Sequence, residues 1–292
     1  MPARQPFTLL CQAASRPPHA GRADLHIHTT YSDGSYTPAE VVDLARRSGL
    51  AALAVTDHDT LDGVPAMQAA AAATAAATGF EIEIIPGVEI TAEHAGKEVH
   101  LLGYFVRPND PALAAALDRL GKHRVSRFWD MVERLKDCGV SIDEQDVQEH
   151  AKNGTLGRRH LAMLMVKNQQ AGSVREAFQR YLGDNGRAVA PKLRLPVAEA
   201  IALVRGAGGV ASWAHPAYHG NGDLADLRAQ GLQAVEAYYP TFKNSRIRQL
   251  RAWAAEHDLA VTGGSDCHGP GRELGACSIT AEELAALRAR CD

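Results

Sequence analysis

Asp24-Leu25-His26-Ile27-His28 sets two imidazoles two residues apart behind a short apolar lead-in. On a β-strand alternate side chains share a face, so His26 and His28 would point the same way. Neutral imidazole is the commonest protein ligand for transition metals. One His-x-His pair is a weak signal, and its weight comes from repetition. Histidine and acidic residues recur just after short apolar runs: Asp33, Asp57-His58-Asp59, Glu89, His100, His215, then Asp266 and His268.

Those runs outline alternating strands and helices. Residues 23–27 read as a strand. Thr37-Pro38-Ala39-Glu40 reads as a helix start with a capping box, and Gly49 as the residue that ends that helix. Residues 50–56 lack polar alternation and read as a strand buried on both faces. The Ala-rich run 65–78 reads as a helix stopped by Gly79. Residues 81–88 and 98–105 read as further strands. From 111 to 183 the pattern is helical only, with clear segments at 127–138 and 161–166. Alternation returns with a helix at 197–205, strands at 209–213 and 232–239, a helix at 245–257, a strand at 259–262 and a last helix at 282–290. This order predicts an α/β fold with a largely parallel sheet or barrel. It organises the chain as a flexible leader (1–21), a core domain (22–107 and 190–292) and an inserted α-helical subdomain (108–189). The ligand-type residues fall at or just past strand ends, the face that carries active sites in α/β barrels.

Composition narrows the class. The chain has 292 residues, 46% of them hydrophobic, and a formal net charge of -3. That balance argues against bulk binding of duplex DNA, while leaving room for a local basic groove. No apolar run approaches the ~20 residues needed to span a bilayer. The brief apolar patch near Phe7 is too short for a secretory segment. Five cysteines without Cys-x-x-Cys spacing argue against a disulfide framework and fit a reducing cytoplasm. Cys267, beside candidate ligands, reads as a buried bystander.

Seven ordered motifs carry a resemblance. They are Asp-Leu-His-Ile-His (24–28), Tyr-Ser-Asp-Gly (31–34), Thr-Asp-His-Asp (56–59), Pro-Gly-Val-Glu (86–89), Glu-Val-His (98–100), Ala-His-Pro (214–216) and Gly-Ser-Asp-Cys-His (264–268). Together they resemble the PHP (polymerase and histidinol phosphatase) superfamily of metal-dependent phosphoesterases, over about residues 23–105 and 190–280. The resemblance implies a distorted (β/α)7 barrel with three divalent metal ions at its C-terminal mouth. Carried over position by position, it assigns His26, His28, Glu89 and Asp266 to one metal. Glu89 then bridges to a second metal completed by His100 and His215, and Asp33, His58 and His268 hold the third. Some members have histidine where this chain has Asp33, which points to a weaker third site. The imidazole–carboxylate donor mix suits manganese, iron or zinc better than magnesium or calcium, with manganese the first expectation.

A multi-metal cluster in a cleft points to phosphate ester hydrolysis, in which metals about 3.5–4 Å apart activate water and neutralise phosphoryl oxygens. Asp57 and Asp59 flank His58 and are the catalytic candidates, as orienters of a ligand or relays of a proton. A turn-capping role is the alternative for Asp59. For the substrate, Gly157-Arg158-Arg159-His160 resembles an element of the bacterial branch acting on 3′,5′-nucleoside bisphosphates and 5′-phosphorylated RNA. Arg158, Arg159 and His160 are therefore candidate phosphate-binding residues, with a solvated helix face as the alternative. Arg124, Arg127 and Lys192 are weaker candidates, and Glu236 and Tyr238 candidate pocket liners. His94, His123, His150, His219 and His257 read as surface or structural histidines. The expected activity is removal of the 3′-phosphate from a small nucleotide such as pAp, with trimming of short 5′-phosphorylated RNA as a companion activity. A histidinol-phosphate-type phosphatase and a non-catalytic metal-binding module are the competing readings.

Overall fold

The computed structural model describes residues 21–151, 156–216 and 220–291. The leader expected at 1–21 lies, apart from Gly21, outside the described residues. β1 (Ala23–Ile27) is followed by α1 (Pro38–Ser48), β2 (Ala52–Val55), α2 (Gly63–Thr78), β3 (Glu83–His94) and β4 (Lys97–Tyr104). The helical block comprises α3 (Pro111–Asp137), α4 (Glu144–Ala151), α5 (Arg158–Lys167), α6 (Val174–Ala177) and a π-helical turn (Phe178–Leu182). β5 (Leu195–Pro196), α7 (Val197–Gly206), β6 (Val210–Trp213), α8 (Asn221–Ala229), β7 (Ala234–Tyr238), α9 (Asn244–Glu256), β8 (Ala260–Gly263) and α10 (Ala281–Arg288) complete the chain.

Local chemistry sets the helix ends. Thr37 and Glu40 form the reciprocal capping box: Glu40 Oε2 accepts from the Thr37 amide at 2.8 Å, and Thr37 Oγ1 from the Glu40 amide at 3.4 Å. Gly49 and Gly79 close α1 and α2 in the left-handed conformation, at φ 71° and 72°. Thr280 and Glu283 repeat the box at α10.

The strands pair in the order β1-β2-β3-β4-β6-β7-β8, with β5 on β3. Both ends meet: the Asp266 amide, just past β8, donates to the His26 carbonyl at 2.7 Å, and the His28 amide to the Cys267 carbonyl at 3.0 Å. The sheet is thus a nearly closed barrel. Side chains alternate around it. Ala52 and Ala54 of β2 face an inner apolar cluster with Ile85, Leu102 and Tyr104, while Leu53 and Val55 face the outer layer against the helices.

Not all of the sheet is parallel. β4 runs antiparallel to both β3 and β6. Ala95 and Gly96, both at positive φ (48° and 75°), make the two-residue turn between β3 and β4. β3 accordingly runs to His94, six residues beyond the expected end at Val88. The reversal brings His100, in the first half of β4, opposite Thr91 and so to the same rim as Glu89.

The helical block has its own core of Phe128, Met131, Leu135, Leu161, Met165 and Leu182. α3 joins both cores. Its first half buries Leu113, Leu117 and Leu120 in the outer barrel layer, and its second half buries Phe128, Met131 and Leu135 in the helical core. A helix of this length spans about 40 Å, enough to serve both.

Candidate metal centre

Glu89 stands at the middle of the barrel mouth, 1% exposed, and five imidazoles reach it. Its Oε2 lies 3.2 Å from His26 Nε2, His28 Nε2 and His58 Nδ1. Its Oε1 lies 2.7 Å from His100 Nδ1 and 3.1 Å from His215 Nε2. Asp266 Oδ1 adds a second carboxylate, 3.2 Å from His28 Nε2 and 3.3 Å from His268 Nδ1. Asp33 Oδ1 sits 3.2 Å from His268 Nε2 and 3.9 Å from both His28 Nδ1 and His58 Nε2. All nine sequence candidates for metal binding therefore converge on one rim. Three donor sets are tight enough to hold a cation: His28, Asp33, His58 and His268; His26, His28 and Glu89; and His58, Glu89 and His100.

The donor set fits divalent cations. His28 Nε2, Asp33 Oδ1 and His58 Nδ1 are buried among these groups without a properly aligned hydrogen bond. Buried polar atoms are rarely left so, and cations on the Glu89 and Asp33 sides of the two rings would satisfy them.

Burial opposes every charge here, and neighbours of opposite sign override it. Around His26 the Glu236, Glu89 and Asp266 carboxylates outweigh burial and hold the imidazole well above its ordinary range. His28 is likewise pushed up to about 10, by Asp266 and Glu89 against burial. The facing histidines hold the Asp33, Glu89 and Asp266 carboxyls well below the usual carboxylate range, again against burial. At His58 burial prevails and pulls the imidazole well below its ordinary value. Both shifts favour the protonated imidazole, whereas a cation binds the neutral one, so metal binding at His26 and His28 competes with protons. Since deprotonation becomes easier as pH rises, metal affinity is expected to rise with pH, and uptake to release protons. Calorimetric metal titrations in buffers of different ionisation heat read this directly, and heats independent of the buffer would contradict it.

Groups behind the nine fix their orientation. Glu236 is fully buried on β7; its Oε1 meets His26 Nδ1 at 3.0 Å and its Oε2 accepts from the His215 amide at 2.8 Å. Glu98 meets His100 Nε2 at 3.1 Å and is itself held by Lys192 Nζ at 2.7 Å. Asp59, His215 and Asp266 all adopt positive φ (53°, 31° and 49°), strain of the kind that clusters at functional sites. Gly264 lets β8 pass against β1: a Cβ there would lie 2.3 Å from the His26 amide nitrogen and Cβ. Gly264→Ala is therefore expected to part the two strands. It should destabilise by about 1–3 kcal/mol and weaken metal retention, as read by thermal melting and metal analysis. An unchanged melting temperature would contradict this.

A model of the PHP domain family matches residues 24–171. The chain belongs to the PHP domain family. It is 31% identical over 255 residues to a 3′,5′-nucleoside bisphosphate phosphatase of Chromobacterium violaceum, covering 85% of this chain and 87% of the relative. It is equally 31% identical over 253 residues to a 5′-3′ exoribonuclease of Haemophilus influenzae, covering 85% and 90%. Among solved structures, a metal-dependent phosphoesterase from Bifidobacterium adolescentis superposes with a TM-score of 0.85 at 30% identity, covering 94% of this chain and 98% of that one.

Beside the PHP metal rim, a cleft of about 1030 Å³ opens between the barrel and the helical block. His100 and His215 form one side, and Arg127, Arg134, Arg158, Lys192 and Arg194 make the rest strongly basic. Arg158 reaches it with Nη1 bonded to the Leu182 carbonyl at 3.1 Å and to Asp184 Oδ1 at 2.7 Å. Arg159 and His160 do not line the cleft. His160 turns Nδ1 back to accept from the Gly157 amide at 3.1 Å, as a helix start requires, so adjacency to Arg158 in sequence does not carry into the cleft.

The two aspartates beside His58 work through other residues. Asp57 Oδ1 accepts from the Thr29 amide at 2.7 Å and Ser32 Oγ at 2.6 Å, and its Oδ2 from Thr29 Oγ1 at 2.7 Å. Ser32 Oγ in turn lies 3.5 Å from His28 Nδ1. Asp59 binds the Thr91 amide at 2.7 Å and Arg124 Nε at 2.5 Å, tying α3 to the metal loop. These bonds tie Asp57 to the loop after β1, and Asp59 to β3 and α3. Tyr238 points away, donating to Glu283 at 2.6 Å. Its neighbour Tyr239, passed over in the sequence, donates to Asp266 Oδ2 at 2.7 Å. Arg272, also missed, meets the same oxygen. Neither carries a ligand-type signal, and only their contacts reveal them. Cys267 is buried at 2% exposure, in the outer apolar layer. His257 is a structural histidine, bonded to Asn221 at 2.8 Å. His219 and the side chain of His150 lie outside the described residues.

Proposed function

We propose that this chain is a metal-dependent phosphoesterase that removes the 3′-phosphate from 3′,5′-bisphosphorylated nucleotides, with adenosine 3′,5′-bisphosphate (pAp) as the reference substrate. The observation that carries this is one cleft joining His100 and His215 of the metal rim to Arg158. Three divalent cations, manganese before iron or zinc, would be held by His26, His28, Glu89 and Asp266, by Glu89, His100 and His215, and by Asp33, His58 and His268. When bound they supply the charge that activates water and stabilises the leaving oxygen. The chain's own residues do the rest. Glu236 and Glu98 hold His26 and His100 in fixed orientation. Arg158 offers a guanidinium to the 5′-phosphate, and Lys192 and Arg127 add charge between the two ends. The reaction needs no side-chain nucleophile. The same basic cleft, extending to Arg134 and Arg194, supports trimming of short 5′-phosphorylated RNA, in line with the H. influenzae relative being a 5′-3′ exoribonuclease. Among the described residues no helix is long and apolar enough to cross a membrane. We assign the enzyme to the cytoplasm, acting on small nucleotides or RNA ends.

Phosphate release from pAp, 3′-AMP, 5′-AMP and an aryl phosphate by manganese-loaded protein tests the reading. pAp should be turned over fastest, and equal rates on all four would overturn the specificity. Arg158→Ala is expected to raise KM for pAp about 10–100-fold, the worth of a charged phosphate contact. It should leave 3′-AMP untouched, and an unchanged preference would remove Arg158 from the site.

A further inference from the structure

Asp266 presents two unlike oxygens. Oδ1 faces the imidazoles, 3.5 Å from His26 Nε2, 3.2 Å from His28 Nε2 and 3.3 Å from His268 Nδ1. Oδ2 is turned away and taken by two donors, Tyr239 Oη at 2.7 Å and the Arg272 guanidinium. Arg272 Nη1 also donates to the Asp266 carbonyl at 3.0 Å, pinning the backbone of a residue held at φ 49°. The Arg272 guanidinium lies over the Tyr239 ring, 5.5 Å from its centroid, and that ring lies 5.2 Å from the His215 ring. One tyrosine therefore braces both the Asp266 and the His215 sides of the rim.

We propose that Tyr239 and Arg272 form a clamp that makes Asp266 a one-oxygen ligand. With Oδ2 blocked by two donors, only Oδ1 can meet a cation, and it meets it from a fixed direction between His26, His28 and His268. A guanidinium offers a cation no lone pair and the Tyr239 hydroxyl is spent on Asp266 Oδ2, so both are positioning residues. Without the clamp, the carboxylate can rotate or chelate with both oxygens, and the strained backbone loses its tether. Partners behind a metal ligand typically change metal affinity about 10–100-fold when removed. A purely electrostatic role for Arg272 predicts the opposite sign, because deleting a cation near a metal site tightens metal binding.

The inference rests on the metal-dependent reading above, and metal binding separates the two. Metal-free wild type, Arg272→Ala, Arg272→Lys and Tyr239→Phe would be titrated with Mn²⁺, following free ion by electron paramagnetic resonance and retained ion after gel filtration. Wild type should retain manganese. Arg272→Ala and Tyr239→Phe should each lose about 10-fold affinity in one class of site, with the other sites kept. Arg272→Lys keeps the charge but not the planar fork, and should recover only part of the loss. Arg272 is 35% exposed on its side chain, so millimolar guanidinium ion should reach the gap left by Arg272→Ala and restore retention, while ammonium should not. Circular dichroism of the metal-free variants confirms folding. Wild-type affinity in Arg272→Ala, tighter binding in it, or full retention by Tyr239→Phe would each overturn the clamp. A wild type that retains no manganese would overturn the metal reading and the clamp with it.

Discussion

Glu89→Gln should abolish phosphate release, lowering kcat by ~10³-fold or more, because one carboxylate serves the whole cluster. The substitution keeps the volume and removes the charge. Five imidazoles lie within 3.2 Å of the two Glu89 oxygens, and two of the three cation-holding sets include this residue. Metal content should fall in step with activity, and the protein should stay folded, since the β1–β8 closure is held by backbone hydrogen bonds that the substitution leaves in place. Elemental analysis beside the kinetic assay separates the causes. An active Glu89→Gln enzyme with its full metal content would show that Glu89 is no shared ligand.

Stripping metal is the second large effect. A strong chelator should reduce turnover to background and lower the melting temperature. Glu89, Asp33, Asp266 and Glu236 place four carboxylates around the buried imidazoles, a set whose charge a cation balances better than protons do. A ligand present at a hundred times its dissociation constant stabilises by about 2.7 kcal/mol, which for a domain of this size is roughly 5–10 °C. Readdition of manganese should restore both quantities. Turnover that survives chelation would favour a non-metal reaction. Metal-dependent melting with no turnover on any phosphate ester would favour a binding module.

The sequence was most legible where local rules act alone. The capping box at Thr37, the stops at Gly49 and Gly79, and the buried β2 run follow from side-chain chemistry within a few residues. The convergence of His26, His28, Glu89 and Asp266 was readable because strand ends of a barrel share one rim. The antiparallel β4 was not, because periodicity carries no strand direction, and the Ala95-Gly96 turn lacks the Asn or Asp that usually marks it. His100 reaches the rim only through that reversal. Arg158, Arg159 and His160 came from one motif resemblance, and at a helix start neighbours turn to different faces, so only Arg158 lines the cleft. Tyr239, Arg272 and the exact parts of Arg124 and Glu236 were hidden for one reason. Each acts through a side-chain contact that the fold creates, and no local pattern records it.

The identity of the first product from pAp bears most directly on the proposed chemistry. Metal-loaded enzyme would be quenched with chelator at partial conversion and the nucleotides separated by anion exchange. With the 3′ ester at the metal rim and the 5′-phosphate at Arg158, as proposed, the expected products are 5′-AMP and inorganic phosphate alone. Accumulation of 3′-AMP, a mixture of both monophosphates, or intact pAp beside a hydrolysed aryl phosphate would contradict it.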